Sequence, residues 1–218
     1  MACDCQLSTD SEIQVESYST QLKQWPQLGK HILAQYNDNR VIVYQAFNPV
    51  IANYAVANQR FGGPEYKMDR MTWIKPNFLW MMYRSGWASK KNQERILAIH
   101  LTREGFEEIL RKAYTVNRER EENVERAAVN VRLQWDPDHD PMGQSVTRRA
   151  IQLGLKHNVK ERFINEFTVK IEDITSFVHE QHKFVESGEL EKLLTPMERV
   201  YVPQDPTIPK LIELDSQE

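Results

Sequence analysis

Met71-Thr-Trp-Ile-Lys-Pro-Asn-Phe-Leu-Trp-Met-Met-Tyr-Arg-Ser-Gly-Trp87 carries three of the chain's five tryptophans, with Phe78, Met81, Met82 and Tyr83 between them. Each large apolar side chain removed from water stabilises a fold by roughly 1.5–3 kcal/mol, so most of this run belongs in a core. Two cations, Lys75 and Arg84, are threaded through it and must reach water or an anion. The stretch therefore reads both as a core element and as the edge of an anion site. Pro76 pushes the residue before it out of the helical region, so Met71 to Ile74 reads as extended and Pro76 as a first helical position. Phe78, Leu79, Met81 and Met82 then repeat at helical spacing, and Gly86 is a stop. Apolar residues on nearly every side of this helix predict that it is buried.

Strands flank this helix in the sequence. Arg40 to Phe47 is β-branched and aromatic, lies after the turn signal Asn37-Asp-Asn39, and ends at Asn48-Pro49. A helix over Val50–Asn58 follows, broken by Phe61-Gly-Gly-Pro64. Arg95 to Leu101 is a second strand, and Thr102 caps a helix reaching Val116. Further strands are expected at Val129–Trp135, Phe167–Ile174 and Arg199–Val202, with a short apolar piece at Arg148–Leu155 and a helix over Thr175–Glu186. Short helices are expected at Gln27–Tyr36 and Glu189–Leu194, and an extended, stiff tail after Pro203. Strands separated irregularly by helices predict a single α+β domain with a largely antiparallel β-sheet. Its expected limits are residues 24–203, after a solvated leader at 1–23 and before an extended tail at 204–218.

Composition narrows the function classes. The chain has 218 residues, a net charge of −3 and 27% charged residues, so nothing draws it as a whole toward nucleic acid or a membrane surface, and any phosphate site must be a local patch. No apolar run is long enough for a membrane-spanning helix. The two cysteines, Cys3 and Cys5, sit in the polar leader, where they neither staple a fold nor complete a zinc site, and a reducing cytoplasm suits them. No glycine fingerprint follows a strand, and no serine-hydrolase elbow, zinc-protease or kinase motif is present. Asp136-Pro-Asp-His-Asp-Pro141 is read as an acidic turn-rich loop, because its prolines occupy slots that a calcium loop gives to ligands. No metal is expected.

The residues left to carry chemistry stand at element edges. Arg40, at the mouth of a strand, can meet a phosphate in fork geometry or close a strand-end salt bridge. Lys75 and Arg84 either face a ligand or snorkel to water. Arg148 and Arg149 are adjacent cations with the same two readings. Glu198 stands before the last strand, as a site carboxylate or an exposed loop acid.

Arg40-Val-Ile-Val-Tyr-Gln-Ala-Phe, the tryptophan-rich stretch, Leu133-Gln-Trp-Asp-Pro and Arg149-Ala-Ile-Gln-Leu-Gly-Leu together resemble domain of unknown function 4291, over roughly residues 36–202. More distantly, the arrangement resembles the ADP-ribosyltransferase superfamily. That resemblance implies a split antiparallel sheet clamping NAD as substrate, with Arg40 on its phosphates or ribose, and Tyr83 and Ser85 in the middle segment. Glu198 would then be the catalytic carboxylate, stabilising the cationic sugar as nicotinamide leaves. The middle motif departs from Ser-Thr-Ser, and no glutamate pair precedes the last strand. The acceptor would be a protein or nucleic acid. The other reading is a non-enzymatic nucleotide or nucleic-acid binding module, in which Arg40, Lys75, Arg84, Arg148 and Arg149 form a phosphate patch.

Overall fold

The computed structural model describes residues 11–216. In chain order it runs β1 (Val15–Ser17), α1 (Tyr18–Leu22), β2 (Leu33–Ala34), β3 (Arg40–Phe47), α2 (Pro49–Asn58), β4 (Thr72–Ile74) and α3 (Phe78–Ser85). There follow β5 (Arg95–Thr102), α4 (Arg103–Arg111), β6 (Ala113–Tyr114), α5 (Val116–Glu121), β7 (Val131–His139) and β8 (Ser145–Leu155). The chain ends with α6 (His157–Arg162), a π-helical turn at Phe163–Phe167, β9 (Thr168–Asp173), α7 (Thr175–Ser187), β10 (Leu194–Pro196), β11 (Arg199–Val200) and α8 (Ile208–Leu211).

Two sheets dominate. One is three-stranded, in the order β3-β5-β9, and the other four-stranded, in the order β4-β8-β7-β6. All their pairings are antiparallel except β6 with β7. The sheets meet at a bridge where Tyr44 N–H donates to Lys75 C=O at 2.7 Å and Lys75 N–H to Tyr44 C=O at 3.2 Å. The α+β reading with a mostly antiparallel sheet holds.

Period-2 alternation explains why β3 and β5 are apolar on both faces. Val41, Val43, Leu97, Ile99 and Leu101 face a core shared with Phe106, Phe163 and the inward residues of the four-stranded sheet. Ile42, Tyr44, Ile96 and Ala98 face a second core with Phe78, Met82, Phe177 and Val178. The α3 helix is the buried element expected of the tryptophan-rich stretch, with Phe78 through Met82 and Ser85 all inaccessible. It starts two residues later than Pro76, because Asn77 is the cap: its Oδ1 accepts from Trp80 N–H at 2.6 Å. Gly86 closes it in the left-handed region, φ 59°.

Other boundaries moved for identifiable reasons. The expected helix at 27–36 is absent, because Leu33–Ala34 pairs with Arg199–Val200 instead. The expected strand at Arg199–Val202 is correspondingly only two residues long. The helix after Thr102 stops at Arg111, and Thr115 caps a new one by accepting from Arg118 N–H at 3.1 Å. Residues 189–193 form turns, not a helix, and Leu194 already opens β10. After Pro203 the chain is not purely extended: α8 forms with a proline in its first turn and buries Ile208. Residues 11–23, read as part of a solvated leader, are structured. Val15–Ser17 pairs with Leu194–Pro196, and Ile13, Tyr18 and Gln21 are buried. Cys3 and Cys5 lie outside the described residues.

Candidate ligand cleft

The polar side of the four-stranded sheet is where the site candidates gather. On β7 and β8, Leu133, Ile151 and Leu153 point into the core, so Gln134 and Gln152 point the other way, directly opposite each other in register. Gln152 Nε2 donates to Gln134 Oε1 at 2.9 Å and also to Asp136 Oδ2. One pair further along this face, Trp73 lies opposite Gly154. A Cβ at Gly154 would sit 2.9 Å from Trp73 Cζ2 and 2.5 Å from Met71 Sδ, so the indole rests on bare backbone.

A cleft of about 390 Å³ opens above this surface, lined by Gln45, Phe47, Thr72, Trp73, Lys75, Met81, Arg84, Gln93, Gln134 and Gln152. That volume is of the size that takes a small ligand. Gln45 occupies an inward position of β3, two residues after Val43, and its amide is committed to the wall: Nε2 donates to Thr72 Oγ1 at 2.7 Å and Trp73 C=O at 2.9 Å.

Lys75 is the electrostatic centre of the cleft. Its side chain is only 5% exposed, yet among the described residues no acceptor lies within hydrogen-bond or ion-pair range of Nζ. Burial, reinforced by the Arg84 charge and opposed by Asp136, pulls the ammonium down to about 8. Arg84, one turn from Met81 on α3, is exposed and also has no carboxylate partner among the described residues. Two cations on one small cavity, neither in an ion pair among the described residues, are an arrangement that an anion would complete.

The other expected site residues are not in this cleft. Arg40 is ion-paired with Glu12 at the start of β3, the strand-end alternative. Arg148 is buried: Nε and Nη2 donate to Asp138 Oδ2 at 2.9 and 2.6 Å, Nη1 donates to Pro26 C=O at 2.6 Å, and the guanidinium covers Trp25. Arg149 is exposed on β8, where its N–H donates to Gly29 C=O at 2.8 Å. Ser85 is sealed in α3 and donates to Met81 C=O at 2.9 Å. Tyr83, 41% exposed, stacks at 3.5 Å on His139, which burial holds below the ordinary imidazole range against the opposing pull of Asp138 and Asp140.

Glu198 lies in the loop between β10 and β11, but it is buried and not exposed. It is 1% exposed and sits against the start of α3. Its Oε1 accepts from Phe78 N–H at 2.6 Å and Oε2 from Asn77 Nδ2 at 3.2 Å. Burial raises its carboxyl well above the usual range, although the Phe78 N–H opposes the shift. The carboxylate tied to the cleft is Asp136, through Gln152, in the segment expected to be an acidic turn. That segment is the end of β7, and Pro137 is accommodated by a register shift between Pro137 and His139.

The chain is thus a mixed α/β protein of one domain, with a polar, cationic cleft beside the seam of its two sheets. Its residues 31–201 match the family model described as Domain of unknown function (DUF4291), and the chain belongs to that family. No curated protein matches it. Among the described residues no helix is long and apolar enough to cross a membrane.

Proposed function

We propose that the Lys75 cleft binds a nucleotide through its phosphate. The observation that carries this is Lys75 itself: a buried ammonium with no ion-pair partner among the described residues, beside the guanidinium of Arg84, which has none among them either. Lys75 would act as a point charge and Arg84 as a fork on phosphate oxygens. The half-buried indole of Trp73 and the amides of Gln93, Gln134 and Gln152 supply a ring face and hydrogen-bonding groups for the remainder of the ligand.

The ADP-ribosyltransferase-like form of this proposal takes NAD as the nucleotide. It requires a carboxylate at the sugar as the glycosidic bond breaks. Glu198 is closed off behind the α3 N-terminus, so within this reading that role moves to Asp136, which is held toward the cleft by Gln152. Isothermal titration of AMP, ADP, NAD and adenosine tests the site. Nucleotides bind and adenosine binds at least about tenfold more weakly, a difference of about 1.4 kcal/mol. Lys75→Met and Arg84→Met each weaken the nucleotides toward the adenosine level. Equal affinity for adenosine and AMP would contradict the assignment. If NAD is cleaved, Asp136→Asn stops turnover and Glu198→Gln does not.

A further inference from the structure

The amine that forms the electrostatic centre of this cleft has the surroundings of a nucleophile. We propose that Lys75 reacts with the carbonyl group of a phosphorylated aldehyde, with Arg84 anchoring the phosphate. This rests on the reading that the cleft accepts a phosphate, and it adds the chemical class of the partner group.

Three geometric facts converge. Lys75 is fixed by its backbone, which pairs in both directions with Tyr44, so the side chain is delivered from a rigid seam and not from a loop. Its ammonium has no hydrogen-bond acceptor among the described residues, so no carboxylate locks the proton on. A second cation, Arg84, lines the same cavity. Desolvation and a neighbouring positive charge are the two devices that leave a lysine unprotonated near neutral pH. Lys160 makes the contrast. It is also buried, but its Nζ donates to the carbonyls of Lys67, Met68 and Arg70 at 2.6, 3.3 and 2.8 Å, which commits it to holding a loop.

The step balances without an external oxidant or reductant. The Nζ lone pair attacks the carbonyl carbon, the C=O electron pair moves to oxygen, and one proton passes from nitrogen to that oxygen. The carbinolamine then loses the hydroxyl with the second amine proton as water, leaving C=N to Lys75. The cavity of about 390 Å³ admits a small phosphorylated aldehyde.

Pyridoxal 5′-phosphate, at equimolar amount with the full chain, followed by borohydride and peptide mapping, tests the proposal. The expected result is reduction-trapped label on Lys75 ahead of the surface lysines. Pyridoxal without its phosphate should label Lys75 at least about tenfold more slowly. Lys75→Arg keeps the positive charge and removes the nucleophile, so it should lose the label. Arg84→Met should slow labelling of Lys75 by a similar factor. Label spread over surface lysines with Lys75 unmodified overturns the proposal, as does labelling of Lys75 that is indifferent to the phosphate or to Arg84. Failure of the phosphate-site reading is told apart by AMP: if AMP does not bind, that reading fails, whereas AMP that binds while Lys75 stays unlabelled overturns the present proposal alone.

Discussion

Glu198 shows how one residue's surroundings decide its role. Its carboxyl receives the first N–H of α3 and the Asn77 amide, and contact with solvent is almost nil. Its folded pKa is raised, with burial the largest cause. The sign follows: a carboxyl with a raised folded pKa contributes stability that is full below its unfolded value and is lost as pH rises through the folded one. Glu198→Gln keeps the shape and cannot ionise, so the stability of the natural chain relative to this variant should fall as pH rises from 5 to 9. Glu198→Ala strands the Phe78 N–H and leaves a cavity, and should cost at least about 2 kcal/mol. Denaturant melts across pH check both. A pH-independent difference between the natural chain and Glu198→Gln would show that folding does not raise this carboxyl above its unfolded value. In the sequence, Glu198 is a polar residue before a strand, and nothing local reveals the helix start that arrives from 120 residues earlier. Lys75 was more legible, because a cation inside an apolar run must find water or an anion.

At the scale of elements, β3 and β5 are legible as continuous β-branched and apolar runs, and α2 by the Asn48-Pro49 that opens it. Short pieces were hidden because distant partners define them. Leu33–Ala34 is a strand only because Arg199–Val200 lies beside it, and Val15–Ser17 only because of Leu194–Pro196. The cleft was partly visible. Lys75 and Arg84 stood out, but Gln45, Gln134 and Gln152 carry no motif and come together only through strand register. Gly154 illustrates the same dependence: its missing side chain makes room for an indole from a strand 81 residues away in number. Gly154→Ala should displace Trp73 and Met71, cost about 1–3 kcal/mol by overpacking, and weaken nucleotide binding at the same time. Tryptophan fluorescence and calorimetry check this, and unchanged affinity alongside an altered emission would remove Trp73 from the ligand surface.

At the scale of the molecule, the two sheets are joined at the Tyr44–Lys75 bridge, and the N-terminal segment ties down the other end of the chain. Gln21 reaches Thr195 Oγ1 at 2.8 Å and accepts from Glu198 N–H at 2.7 Å, so residues 11–23 support the segment that in turn supports α3. Deleting residues 1–23 exposes the sites of Ile13 and Tyr18 and should cost at least about 3 kcal/mol, seen as a lower melting temperature. An unchanged melting curve would mean that this segment is a solvated leader after all. In the cleft built at the seam, Lys75 is held down to about 8 by burial and by Arg84. A bound phosphate favours the ammonium and raises that value, so at pH 8 binding must draw a proton from solution. The most direct measurement is titration calorimetry of AMP at pH 8 in buffers of different ionisation enthalpy. The expected result is uptake approaching about half a proton per nucleotide in the natural chain and none in Lys75→Met. Nucleotide binding without proton uptake, or with the same uptake in the variant, would contradict it.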